Sequence, residues 1–200
     1  MPTPARTSLE AIVSAGREAL AAGGLDALTM QHVATAVGVR APSLYKRVRD
    51  RSDLIRLVVE DLLRDLTNTL DAAASTGDPT LDLRALARAF RTFARLQPNG
   101  FGLLFSPLPE ASAPDPELVV LGSAPVLRSV EALVGAEQAL PAARTVTAWA
   151  TGFVRMELAG AFQLGGDVDA AFEYGIEHLV IALGSREDTA PEHADSAPAP

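Results

Sequence analysis

A chain of 200 residues with 48% hydrophobic content can bury the core of one or two domains, and its lack of cysteine excludes disulfides, thiolate metal sites and cysteine nucleophiles together. No run of roughly eighteen apolar residues offers a membrane span, and the opening MPTPARTSLEAIV lacks the segments of a secretory signal, so a cytoplasmic location without membrane contact is expected. The net charge of -8 is uneven: residues 1–60 carry 8 basic against 6 acidic side chains and residues 61–200 carry 9 against 19, which sets a small basic module on an acidic body.

Taken in chain order, the pattern is all-α. Thr7 with Glu10 fits a capping box opening a first helix, whose stripe of Ile12, Val13, Ala15, Gly16, Ala19 and Leu20 ends at Gly23-Gly24. Thr29 suits the N-cap of a short second helix carrying Val33, Ala34 and Val37 and stopping at Gly38. Pro42 fits the first turn of a third helix. Asp50 caps a long fourth helix reaching about residue 74, with Asp53 in its first turn. Asp78-Pro79 opens a helix to about Gln97, with Leu83, Leu86, Ala87, Phe90 and Ala94 on one face. PNGFGLLFSPLPEASAPDP reads as a turn-rich connector with a short apolar piece. Helices follow at about 116–134, 140–164 and 168–184, and the polar, Pro/Ala-rich residues 185–200 are expected to be disordered.

The stretch GVRAPSLYKRVRDR gathers Arg40, Lys46, Arg47, Arg49 and Arg51 around Tyr45. It closes a segment, residues 29–48, with the layout of a helix-turn-helix: small Ala34 at a helix crossing, Gly38 in the turn, and Val33, Val37, Val39, Leu44 and Val48 as the buried seam. With Leu44 and Val48 four apart and inward, Ser43, Lys46 and Arg47 share the outward face. A hydroxyl, an ammonium and a guanidinium on one helix face suit the major groove, where guanine presents O6 and N7. Tyr45, Arg49 and Arg51 flank that face, where phosphate contacts fix register. A charge run alone would read as solvated surface; its coincidence with the turn and seam residues favours DNA.

LTMQHVATAVGVRAPSLYKRVRDRSDLIRLV resembles the DNA-binding domain of the tetracycline-repressor (TetR) family of transcriptional regulators. The resemblance rests on Thr29, Val33-Ala34, Gly38-Val39, Leu44-Tyr45, Arg51 and Asp53-Leu54. It implies that Thr29, Tyr45 and Arg51 grip phosphates, and that Gln31, Ala41, Pro42, Ser43, Lys46 and Arg47 face bases or neighbouring backbone, with Arg40 beside them. KRV stands where many members carry an aromatic or His pair and then Phe, so the operator sequence is not transferable. The expected architecture is a helix-turn-helix DNA-binding domain at residues 1–50, joined by a long helix to a helical effector-binding and dimerisation bundle at 51–184.

ALARAFRTFARLQPNGFGLLF and TAWATGFVRMELAGAF are similar to one C-terminal class of the same family. There the resemblance supports the architecture and implies a homodimer on a palindromic double-stranded operator, while the aromatic residues as a set suggest an apolar pocket for a small, largely apolar effector. The aromatic residues Phe90, Phe93, Phe101, Phe105, Trp149 and Phe153, with Met156, are the expected pocket lining, and Glu157 and Arg155 are candidates to orient a polar ligand group, to pair with other charges or to face solvent. No cofactor, metal or catalytic residue is expected. His32, His178 and His193 form no catalytic order, QLGGDVD lacks the strand of a nucleotide fingerprint, and Glu173, Glu177 and His178 read as a solvated helix face. A DNA-binding or adaptor protein of this fold without a small-molecule switch is the alternative.

Overall fold

The computed structural model describes residues 8–185, and across them it is helical without strands. The expected tail at 186–200 and Thr7 lie outside the described residues. The helices are α1 (Leu9–Ala27), α2 (Met30–Ala36), α3 (Ala41–Leu44), α4 (Arg51–Ala73), α5 (Pro79–Leu96), α6 (Pro98–Leu104), α7 (Pro116–Val134), α8 (Ala136–Leu158) and α9 (Val168–Gly184).

The cap of α1 is Ser8, whose Oγ accepts the Ala11 N–H at 3.1 Å, one residue past the position expected from Thr7. The Gly23-Gly24 break is present as a kink, with Gly24 at φ 65°, after which one further turn runs to Ala27. Gly16 permits the crossing of α1 and α4, since a Cβ there would sit 2.8 Å from the Val58 side chain. α2 begins at Thr29 and α3 at the Pro42 turn as expected, but α3 is a single helical turn, and Tyr45, Lys46 and Arg47 continue it as a turn. Ile12, Leu28, Val33, Ala34, Leu44, Val48 and Leu54 are fully buried beneath these elements. Burial of each larger side chain contributes about 1.5–3 kcal/mol, enough to hold helices too short to persist alone.

α4 is shared between the two halves. Leu54 and Val58 belong to the head, while Leu62, Leu66 and Leu70 belong to the body, and the buried apolar residues join into one continuous core. Its start is doubly capped. Asp50 accepts the Asp53 N–H at 2.9 Å, and Asp53 reaches back to accept the Arg49 N–H at 3.0 Å.

Two expectations are corrected. The connector after Gln97 contains α6, although Pro98, Asn99, Gly100 and Gly102 are poor helix formers. Tertiary burial of Phe101 and Leu103 makes it helical, and Gly100 lets it approach α4, where a Cβ would lie 2.8 Å from Leu62. α8 begins at Ala136 rather than near 140 and ends at Leu158 rather than 164, because Gly135 and Gly160 turn the chain at φ 75° and 62°. α7 packs on α8, α4 and α5, and α9 lies against α5, so the body is a bundle around a gap between α4, α5, α7 and α8.

Candidate nucleic-acid interface and internal cavity

The turn at Gly38, φ 74°, delivers the chain into α3 with Leu44 and Val48 fully buried. That burial leaves Tyr45, Lys46 and Arg47 exposed, Tyr45 at 55%, with Ser43 half-buried beside them. Arg40, Gln31 and Pro42 are also exposed, and Ala41 is half-buried against the core. The Thr29 Oγ caps α2 by accepting the His32 N–H at 3.2 Å. Among the described residues, Arg40, Lys46 and Arg47 have no carboxylate partner, whereas Arg49 leans on Asp53 at 3.5 Å. Exposed cations left unpaired in a net-acidic chain are the pattern that a polyanion-binding surface requires.

Arg51 is placed differently from a free phosphate anchor. Its Nε donates to the Leu28 carbonyl at 2.8 Å and its Nη2 to the Leu25 carbonyl at 2.6 Å, so it ties the start of α4 to the end of α1. The remaining N–H groups of the fork are what it can offer a phosphate.

The body contains a cavity of about 1070 Å³, bounded by α4, α5, α7 and α8 and by the end of α6. Its wall is mostly aliphatic, with Leu66, Leu70, Leu83, Val126 and Leu140 among the contributors. Of the expected lining residues, Phe90 and Phe105 reach it. Phe101 lies one layer behind, 5.3 Å from Phe90 and 4.8 Å from Phe105 between ring centroids, and Phe93 is buried in the core away from the wall.

Trp149, Phe153, Met156 and Glu157 are not in the wall. Trp149 and Phe153 turn toward α9, each 5.2 Å from Phe172, and Phe153 meets Phe162 at 4.8 Å. The indole sits over Gly175, where a Cβ would come within 2.3 Å of the ring. Met156 is 48% exposed. Glu157 is engaged by Arg91, so it pairs with another charge. The face of α8 that does meet the cavity carries Arg144, Thr147, Thr151 and Arg155. Spacings of i, i+7 and i+11 put Arg144, Thr151 and Arg155 within about 40° of one another around the helix, a signal present in the sequence but overshadowed by the aromatics.

α5 and α9 are joined by antiparallel ion pairs. Arg84 holds Glu177 at 2.7 Å, Arg88 holds Glu173 at 2.6 Å, and Arg91 and Arg95 hold Asp169 at 2.6 and 3.3 Å. Glu173 and Glu177 thus face α5. His178 stacks with Tyr174 at 3.9 Å, and among the described residues no acid and histidine cluster has metal-binding geometry.

Comparison with known proteins places the chain in a family. Residues 12–58 match the profile of bacterial regulatory proteins of the tetR family, and residues 83–179 match a tetracyclin repressor-like C-terminal domain. The chain is 30% identical over 190 residues to the HTH-type transcriptional regulator Rv0681 of Mycobacterium tuberculosis, covering 92% of this chain and 84% of that protein. Among solved structures, the regulatory protein SCO4313 superposes with a TM-score of 0.71 at 26% identity, covering 88% of this chain and 98% of that one. A TetR variant from Acinetobacter baumannii in complex with minocycline gives 0.66 at 22% identity, over 88% and 95% of the two chains.

Proposed function

Because the chain belongs to the tetracycline-repressor family of transcriptional regulators, we propose that it acts as a homodimeric repressor that binds a palindromic operator and is released by a small, largely apolar effector held in the body cavity. In this reading α3 and the turn after it enter the major groove. Lys46 and Arg47 read base edges with Ser43, and Tyr45, Thr29 and Arg51 contact phosphates.

The observation that carries the switch is the placement of α6. Leu104 and Phe105 at its end belong to the cavity wall. At its start, the Asn99 amide donates to the carbonyls of Leu20 and Ala21 in α1 at 3.1 and 2.9 Å. Arg17 of α1 reaches Gln97 beside it and pairs with Asp61 and Asp65 of α4 at 2.9 and 2.7 Å. A ligand that moves Phe105 therefore pulls on the last regular turns of α1, the helix under the reading head. Such a ligand shifts the balance of two states only by binding one better, and DNA must weaken ligand binding by the same factor.

Dimerisation is supported by the outward faces of α8 and α9. Met156, Tyr174 and Ile181 are 48%, 67% and 53% exposed and lie outside the cavity wall. Two copies of this pair of helices would form a four-helix bundle and set the reading heads a fixed distance apart.

The test is selection of bound duplexes from a random DNA library by the purified chain. Two inverted half-sites occupied by two protomers support the reading, and an asymmetric single site overturns the dimer. Once the site is known, apolar compounds that raise the melting temperature should weaken operator binding. Stabilising compounds without that effect would favour the adaptor without a switch.

A further inference from the structure

The basic residues of this acidic chain fall into two groups. In the body, Arg56, Arg64, Arg84, Arg88, Arg91, Arg95 and Arg128 each lie within salt-bridge distance of a carboxylate. Arg144 and Arg155 have no such partner among the described residues, and both are in the cavity wall. Among the described residues outside the reading head, which has its own unpaired cations, these are the exceptions. The cavity wall itself contains no aspartate or glutamate. Its other polar side chains are the hydroxyls of Ser106, Ser123, Thr147 and Thr151, and the rest is aliphatic or aromatic.

From this we propose that the ligand is an amphiphilic oxyanion: an elongated apolar body ending in one oxyanion head held by Arg144 or Arg155. The inference rests on the reading of the cavity as a small-molecule site. A guanidinium presents a rigid fork of N–H donors that matches a carboxylate or phosphate, and it retains its charge at any physiological pH. An acid in the wall would repel such a head, and a cationic ligand would find two like charges and no counter-ion. The two arginines are exposed and lie at opposite ends of one helix stripe, about 16 Å apart along the axis. The head thus binds where water already solvates the cation, and the body lies inward against Leu66, Leu70, Phe90 and Val126. A cavity of about 1070 Å³ is slightly larger than the roughly 300–1,000 Å³ common for small-molecule sites, which suits a long apolar body.

Arg155 adds a consequence. Its Nη2 donates to the Phe105 carbonyl at the end of α6. One bond uses one of five donors, so an oxyanion can approach the same guanidinium and compete for its orientation. The head would then act directly on the helix that leads to α1.

The test uses the full-length chain without DNA and measures binding of dodecanoate, dodecyl phosphate, dodecanol and dodecylammonium below their micelle concentrations. The two oxyanions should bind about tenfold or more tighter than the alcohol, as a charge-assisted fork implies, and the ammonium should bind worst. Arg144→Gln or Arg155→Gln should abolish that preference while leaving dodecanol binding unchanged, and Arg128→Gln should leave all four unchanged. Equal binding of acid and alcohol, preference for the ammonium, a preference surviving both arginine substitutions, or binding of none of the four would overturn the assignment. Operator affinity is measured separately. An oxyanion that binds selectively without loosening the operator would support the ligand class and refute the regulatory reading.

Discussion

The guanidinium of Arg91 in α5 grips the carboxylate of Glu157 in α8 through both arms of its fork, Nε to Oε2 at 2.8 Å and Nη2 to Oε1 at 2.6 Å. Its Cζ also lies 4.7 Å from the Phe172 ring centroid, and Nη2 reaches Asp169 of α9. One nearly buried arginine thus joins three helices, and the carboxylate it holds lies outside the cavity wall.

Arg91→Met should leave the partly buried Glu157 carboxyl with only the more distant Arg95 guanidinium, 3.9 Å away, in place of the two-armed grip. The expected cost is about 3–5 kcal/mol of folding stability, the magnitude seen when one member of a buried pair is removed. Urea unfolding checks this. A loss under about 1 kcal/mol would mean that Glu157 is solvated and the pair behaves as a surface contact.

Lys46→Ala and Arg47→Ala should each lower affinity for the selected operator by about 1–3 kcal/mol and relax base preference at the position read. Neither has a carboxylate partner among the described residues and both are exposed, so folding stability should not change. The check is affinity across a panel of operator variants. Equal loss on every sequence for Lys46→Ala would make it a phosphate contact.

Arg51→Ala should show two effects at once. Losing the bonds to Leu25 and Leu28 carbonyls should destabilise the head by about 1–3 kcal/mol, and losing a phosphate contact should weaken all sequences alike while lowering the salt slope by about one. Affinity against salt concentration separates them. An unchanged slope with reduced stability would make Arg51 purely a brace between α1 and α4.

Stability should fall on acidification below about pH 4. Burial pushes the Asp53 carboxyl up, but the Arg49 N–H and the Arg56 and Arg49 guanidinium groups outweigh it and hold it below the ordinary range. Arg88 likewise holds Glu173 down, and Arg84 holds Glu177 down. A carboxyl lowered in the folded state stabilises it at pH values above its unfolded pKa, and that contribution disappears as the pH drops through the lowered value. Urea midpoints should therefore be level from neutral pH to about 5 and decline below 4, with a shallower decline in Asp53→Asn. An equal decline in that variant would remove Asp53 from the account.

The reading head was legible in the sequence because its determinants are local. The Thr29 cap, the Gly38 turn, Pro42 in the first turn and the Leu44/Val48 pair lie within about one helix-turn-helix of each other. Each acts through backbone geometry or a four-residue repeat. The same locality located α4 and α5 by Asp50 and Asp78, whose side chains cap as expected. It failed at α6, where the local composition argues for turns and only contact with Leu62 and the burial of Phe101 favour a helix.

Rotation of α8 about its axis was decided by the tertiary structure alone. With apolar or small residues on nearly every side, the 3.6-residue repeat allowed the helix to present its aromatics or its arginines to the cavity. Docking of Trp149 over Gly175, together with the Arg91 pair to Glu157, turns the aromatics toward α9 and leaves Arg144, Thr151 and Arg155 bordering the cavity. Those partners lie 26 and 66 positions away along the chain, so no local pattern in α8 encodes the choice. The sequence by itself determined that this chain has a DNA-reading head on a helical body; the packing between distant helices determined what the body's cavity can hold.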